Sequence, residues 1–243
     1  FMAKKVAFIQ FKDLILYEDD DILLVNKPAD MASLDDKSKR NLNHLAKLYD
    51  PNLSLCHRLD KHTSGILLLA KGSENYKAIA GQFAKRKVRK EYHTISPGVH
   101  YFEDTVVDVP LYVSTNKKVS VNRQSGKASK TVINTIKAWK NFSHLRCEPI
   151  TGRMHQIRVH LSTLGCPIVG DHLYGGHDIR LSEIKRKYKF SGRKDEQPIN
   201  HDYLLHAKML SFEHPRSAER LVFEADYPKN FQVAIKVLDK YDT

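Results

Sequence analysis

One junction limits how this chain can fold more than any other feature. Ile66-Leu67-Leu68-Leu69-Ala70 is the strongest candidate for a buried strand. The ten residues ahead of it, Cys56-His57-Arg58-Leu59-Asp60-Lys61-His62-Thr63-Ser64-Gly65, are mostly charged or small and polar. Charged groups beside a core strand cost free energy unless they are paired or used. Leu53 and Leu55 alternate as a second strand upstream, so Asp60 falls in a loop between two strand-like runs. Rigid strands that brace a polar loop are a common way to present reactive side chains. An Asp beside Lys and Thr is also a common turn residue, so the loop by itself does not decide its role.

The rest of the chain alternates strand and helix signals. Ile15 to Tyr17 and Ile22 to Lys27 read as a strand pair turned by Glu18-Asp19-Asp20-Asp21 and stopped by Pro28. Residues 6–11 read as a short strand or N-terminal arm, and 30–40 as a loop. Leu42, Leu45, Leu48 and Tyr49 predict one helix face. Ser73 reads as the cap of a helix carrying Tyr76, Ile79, Ala80 and Phe83. That helix runs into Lys85, Arg86, Lys87, Arg89 and Lys90, more cations than a helix C-terminus needs, which suggests phosphate contact. Strands are expected over 91–95, 105–112, 131–139, 143–148, 204–210 and 221–223, with a flexible basic hairpin tip over 114–130. Thr151-Gly152-Arg153 opens a helix with Met154, Ile157, Leu161 and Leu164 as its buried stripe, stopped at Gly165-Cys166-Pro167. A second row on that helix, Thr151, His155, Arg158 and Ser162, must face a neighbouring element, and an arginine there needs a partner. A glycine-rich strand-to-loop segment follows over 168–176, then a charged excursion over 177–201. Phe231, Val233, Ile235 and Leu238 predict a closing helix.

At 243 residues and 41% apolar content the chain can bury a real core, and without a repeat or composition break it reads as one catalytic domain over 14–243 after an arm of 1–13. Forty Lys and Arg against 28 Asp and Glu give a net charge of +12, which suggests a polyanionic partner. Three cysteines without CxxC spacing argue against a disulfide framework or zinc ribbon and fit a reducing cytoplasm. No apolar run is long enough for a membrane span.

Five ordered patterns resemble the RluA-type family of pseudouridine synthases: Val25-Asn26-Lys27-Pro28; His57-Arg58-Leu59-Asp60 with Thr63-Ser64-Gly65; Lys90-Glu91-Tyr92; Gly152-Arg153-Met154-His155-Gln156-Ile157-Arg158-Val159-His160 with Gly165-Cys166-Pro167-Ile168-Val169-Gly170-Asp171; and Leu205-His206-Ala207 with His214-Pro215. The resemblance implies an α+β fold, a long, mixed, mostly antiparallel sheet flanked by helices with a central active-site cleft. It implies isomerisation of an RNA uridine to its C5-glycoside without cofactor or metal. The family's catalytic aspartate falls on Asp60, its active-site tyrosine on Tyr92, the basic partner of the aspartate on Arg158, and the base-flipping arginine on Arg58. The same motifs offer His57, Thr63, Arg153, His155 and Gln156 as substrate contacts. Larger members carry an N-terminal S4-type RNA-binding domain, which is expected to be absent here. Ribosomal RNA, large-subunit above all, or tRNA is the expected partner, with no DNA or membrane, and the expected state is a cytoplasmic monomer.

The chemistry suits these residue types. A carboxylate serves as nucleophile or base, an arginine keeps it ionised and aimed, and a tyrosine ring stacks on the uracil. A recessed carboxylate requires the base to leave its stack. Two rivals are a non-catalytic RNA-binding module on the same fold and a metal-dependent RNA hydrolase built on His57, His155, His160, Asp171 and His172. No HExxH-like constellation supports the second, and His155 and His160 differ by five positions, off one helical face.

Overall fold

A computed structural model describes residues 10–34, 41–186, 188 and 196–243. The expected N-terminal strand lies outside these residues except for its end, as do Lys4, Lys5, Lys187 and most of the 30–40 loop. The described end of the arm, Phe11–Leu14, is a 3-10 turn rather than a strand, and it buries Phe11 and Leu14 in the core.

Ile15–Glu18 (β1) and Ile22–Lys27 (β2) pair antiparallel. Asp19 builds their turn, its carboxylate accepting the Asp21 and Ile22 N–H groups. Leu42–Tyr49 (α1) is capped by the Asn41 side chain. It buries Leu42 and Ala46, with Leu45 and Tyr49 against the same cluster. Leu48, expected on that face, is 71% exposed, because the stripe follows 42, 45, 46 and 49 and position 48 falls off it. Leu53–Leu55 (β3), Ser64–Lys71 (β4), Ser73–Ala84 (α2) and Arg89–Pro97 (β5) follow. Ser73 is the first helical residue of α2, not its cap; Gly72 takes the cap position with φ 78°.

Beyond β5 the strands are Thr105–Asp108 (β6), Leu111–Val113 (β7), Val119–Val121 (β8), Lys130–Ala138 (β9) and Phe142–Pro149 (β10). The single strand expected over 105–112 is broken at Val109-Pro110, where proline cannot donate to a ladder. The stretch expected to be a flexible hairpin tip contains β8, which pairs with β7 and buries Val119 against Leu111 and Val159. Gln156–Thr163 (α3) starts five residues later than the sequence suggested, and Leu164 is 39% exposed; Cys166 and Ile168 complete its core contact instead. No strand forms over 168–176; Val169 instead donates to the Ile95 carbonyl and accepts from the Leu204 N–H. In the 177–201 segment, Leu181–Ile184 (α4) and Ile179 pack with Trp139, Phe231 and Leu238, so its described ends belong to the core. Leu205–Glu213 (β11), Arg220–Glu224 (β12) and Lys229–Tyr241 (α5) close the chain. On α5, Phe231, Ala234 and Leu238 are buried, whereas Val233 is 37% exposed.

Ten strands form one sheet in the order β1-β2-β4-β11-β5-β10-β9-β6, with β12 added to β11 and β3 to β4. Every pair is antiparallel except β4–β11 at the centre, so the expected mixed, mostly antiparallel α+β architecture is present. The parallel contact is only two residues long, Ser64 with His206 and Gly65 with Ala207. Gly65 permits it: a Cβ there would lie 2.2 Å from the Ala207 carbonyl oxygen, at φ +112°. This contact sets the Asp60 loop directly over the middle strands.

Candidate active site

A cleft of about 640 Å³ opens between the 56–63 loop, the end of α2 and the approach to α3, with Tyr92 of β5 and Leu205 of β11 among its lining. The loop is pinned from below. Ser33 Oγ donates to the Leu59 carbonyl at 2.8 Å and accepts the Leu59 N–H at 3.1 Å. The Asp60 carbonyl accepts the Thr63 N–H, and the Thr63 hydroxyl is hydrogen-bonded to the Tyr203 hydroxyl at 3.1 Å. His62 Nδ1 lies 2.6 Å from Asp202. Lys27, wholly buried, donates from Nζ to the carbonyls of Pro28, Met31 and Lys61 at 2.9, 2.8 and 3.1 Å. Burial pulls the Lys27 amine down to about 7, and the carboxylates of Asp60, Asp202 and Asp30 oppose that.

These restraints leave the Asp60 carboxylate one-quarter exposed in the cleft. Arg158 Nη1 lies 3.5 Å from Asp60 Oδ2, and His155 Nε2 3.8 Å from the same oxygen. Arg158 is therefore paired, as its position on α3 demanded, but its tighter partner is Asp171. Nε donates to Oδ2 at 2.6 Å and Nη2 to Oδ1 at 2.8 Å. The rings of Tyr203 and Tyr174 lie 4.5 and 4.8 Å from the guanidinium carbon. Burial works against the charge of Arg158, and the hydrogen bonds to Asp171 more than restore it, holding its pKa above the ordinary value. Tyr92 is raised by burial and then by Asp60, so its hydroxyl stays neutral and able to donate. His155 sits just ahead of α3 in a left-handed conformation, φ 52°, and its Nδ1 is 2.7 Å from the Tyr174 hydroxyl. Burial lowers its pKa, and Asp60 opposes this.

Asp60, Tyr92, Arg158, Arg58, Arg153 and His155 are thus brought to one cleft, with Arg58 and Arg153 exposed at its rim. Gln156, His57 and Thr63 line the same cleft, and each also has structural partners. Gln156 is buried, and all four of its hydrogen-bonding positions are filled: Oε1 accepts from the Thr151 hydroxyl and Arg153 N–H, while Nε2 donates to the Lys130 carbonyl and Thr131 hydroxyl. His57 accepts the Leu68 N–H on Nε2 and packs against Phe83, so it braces β4; burial brings it down to about 3. Thr63 is 2% exposed and joined to Tyr203.

Sequence reasoning gave no role to Lys27, Tyr174 or Tyr203, and raised Asp171 only as a possible metal ligand. Lys27 and Asp171 stood inside quoted motifs; burial and partners, which the motifs do not carry, give them work. The basic run divides. Arg89 pairs with Glu148 at 3.1 Å, Lys90 is half-buried at the cleft, and Lys85, Arg86 and Lys87 are exposed on the turn after α2.

The His/Asp set of the hydrolase reading is dispersed into separate hydrogen bonds. Asp171 holds Arg158, His160 reaches Thr131 and Val109, and His172 reaches Asp178. Among the described residues, Asp19, Asp21 and His214 do lie within 4.8 Å of one another. Arg216 and Asn75 already occupy Asp21, and Tyr17 and two backbone N–H groups occupy Asp19.

A mixed sheet crossed at its centre by a basic cleft, with a carboxylate, an arginine and a tyrosine drawn together inside it, defines an enzyme of the pseudouridine synthase class. Residues 21–163 match the RNA pseudouridylate synthase family, and the chain belongs to that family. It is 30% identical to the ribosomal large subunit pseudouridine synthase D of Haemophilus influenzae, over 92% of this chain and 70% of the relative. It is 34% identical to the ribosomal large subunit pseudouridine synthase C of Buchnera aphidicola, over 95% of this chain and 72% of the relative. Its fold is similar to that of human RNA pseudouridylate synthase domain containing 4, with TM-score 0.70, 25% identity, and coverage of 94% and 95% of the two chains. The chain is an RNA pseudouridine synthase, which isomerises uridine in RNA to its C5-glycoside. Among the described residues no helix is long and apolar enough to cross a membrane.

Proposed function

We propose that Asp60 carries the isomerisation, as nucleophile or base toward a flipped-out uridine, and that the substrate is ribosomal RNA, large-subunit RNA ahead of tRNA. The observation that carries the catalytic reading is the Asp60 carboxylate itself. It is partly exposed at a cleft within a pinned loop, with Arg158 at 3.5 Å and the neutral Tyr92 lining the same space. Tyr92 stacks on the uracil; Arg58, exposed at the rim, braces the gap left in the RNA; Arg153 and His155 contact the flipped nucleotide or its phosphates. His57, Thr63 and Gln156 hold the frame. The ribosomal assignment is supported by the relatives, which are ribosomal large subunit pseudouridine synthases, and by the net charge of +12. The protein acts as one catalytic domain, as a monomer in the cytoplasm.

The test is Asp60→Asn. Tritium release from C5-labelled uridine RNA is expected to fall by on the order of 10⁴-fold or more, with the circular-dichroism spectrum and RNA binding retained. Turnover near the wild-type rate would remove Asp60 from the reaction. Mapping pseudouridines in the source organism's RNA with and without this gene identifies the RNA, and sites confined to tRNA would overturn the ribosomal reading.

A further inference from the structure

The Asp60 loop and the approach to β11 meet residue by residue. Gly65 faces Ala207 and Ser64 faces His206 as the parallel pair of β4 and β11, and the Ser64 hydroxyl adds a bond of 2.9 Å to His206 Nδ1. The ladder stops there, short of Asp60, but the contacts continue through side chains. Thr63 Oγ1 meets the Tyr203 hydroxyl at 3.1 Å, and His62 Nδ1 meets Asp202 at 2.6 Å. The segment that receives them is firmly based. The Leu204 N–H donates to the Val169 carbonyl at 3.0 Å, and the Leu204 carbonyl accepts from Thr94 Oγ1 at 2.7 Å. A Cβ on Gly170 would lie 2.9 Å from the Asp202 carbonyl oxygen and 3.0 Å from Tyr203 Cα, so the 168–171 turn backs directly onto both residues. Tyr203 also reaches the other half of the site. It is 7% exposed, and its ring lies 4.5 Å from the guanidinium carbon of Arg158.

We propose that Tyr203 is a positioning residue for the isomerisation: together with Asp202 it latches the Asp60 loop, and its ring sets Arg158 against that loop. This rests on the reading of Asp60 as the reacting carboxylate. Asp60 and Arg158 stand 98 positions apart, and their single contact of 3.5 Å is too long to fix one against the other. Their separation therefore follows from what holds each of them. The Asp60 carbonyl accepts the Thr63 N–H, so a shift of Thr63 carries Asp60 with it. Thr63 and Arg158 share Tyr203, so one side chain refers both to the sheet. A tyrosine suits this task, because two torsions fix its ring and its hydroxyl together. Burial, and then Asp60, push the Tyr203 hydroxyl above its ordinary value, so it stays protonated and able to donate. Neither Asp202 nor Tyr203 lines the cleft. The latch therefore acts on the chemical step, where a misplacement of about 1 Å costs on the order of 100-fold, and not on RNA affinity.

Tyr203→Phe keeps the ring and removes the tie to Thr63, whereas Tyr203→Leu removes both. In full-length variants checked for folding, kcat at saturating RNA is expected to fall about 3- to 10-fold in the first and about 10- to 100-fold in the second, with RNA affinity within about twofold of wild type in both. Thr63→Val is expected to match Tyr203→Phe. The two substitutions combined are expected to lose less than about twofold beyond the larger single loss, because they remove the same bond. Losses that multiply in the double variant would mean the two hydroxyls act separately and would overturn the proposal. So would an unchanged kcat in Tyr203→Leu, or a loss confined to RNA affinity. If Tyr203→Leu does not fold, the cycle of Tyr203→Phe and Thr63→Val decides by the same kcat and affinity measurements. Asp60→Asn, assayed alongside, separates the two claims: activity there refutes the role of Asp60 and the latch with it, whereas a dead Asp60→Asn beside normal Tyr203 variants refutes only the latch.

Discussion

At the residue scale, the site depends on positions where one atom decides the geometry. Gly65 lets β4 approach β11, and the close contact with the Ala207 carbonyl together with φ +112° leaves no room for a methyl group. Gly65→Ala is expected to cost roughly 3 kcal/mol or more, from overpacking plus backbone strain, and to lower the urea midpoint or prevent folding. An unchanged midpoint would mean the strands can part freely there. Gln156 illustrates the opposite case. It stands in a motif next to His155 and looks available, yet its four polar positions are spent on Thr151, Arg153, Lys130 and Thr131. Sequence places such a residue near a site; only its partners tell whether an atom is left for substrate.

At the scale of elements, the turn from α2 to β5 gathers the exposed charge of the basic run. Lys85, Arg86 and Lys87 are exposed there, and Arg86 takes a left-handed conformation, φ 57°. The sequence could not separate these three from Arg89 and Lys90. The fold does, because Arg89 is neutralised by Glu148 and Lys90 is drawn toward the cleft. Replacing residues 85–87 together by serine is expected to weaken RNA binding and flatten the log–log salt dependence of the binding constant by about 2. The kcat at saturating RNA should stay near wild type. A salt slope unchanged within error would remove this turn from the RNA contact.

At the scale of the whole molecule, the sheet buries His93, His144 and His206, and His57 packs half-buried beside it. Burial brings His57 and His144 down to about 3, and His93 and His206 to about 4, from 6.5. His93, His144 and His206 come from β5, β10 and β11 and gather around Tyr227, with His93 also bonded to Glu91. His144 Nε2 is buried without a hydrogen-bond partner. Each of these folded pKa values is depressed, so the unfolded chain takes up protons first. Stability is full above pH 6.5 and falls as the pH drops toward about 4. Urea unfolding at pH 5 is expected to show a loss of up to about 2 kcal/mol per histidine relative to pH 7.5, with a smaller total loss in His144→Phe. A flat profile over that interval would mean the histidines are hydrated.

The sequence by itself determined the architecture and the main actors. Short apolar runs, turned by the acidic residues 18–21 and stopped by Pro28, define the first strands, and Ile66 to Ala70 is the buried strand it was expected to be. Ordered motifs led to Asp60, Tyr92 and Arg158, and these line one cleft. Such signals are local: spacing, punctuation and residue type act within one element. What only the tertiary structure decided depends on contacts between residues far apart in the chain. Lys27 reaches under Lys61, Asp171 claims Arg158, Tyr203 meets Thr63 across 140 positions, and Gly65 is shaped by Ala207. A one-dimensional pattern specifies which groups are polar. Their assignment as frame or site follows from desolvation and hydrogen-bond saturation, which exist only once the strands have met.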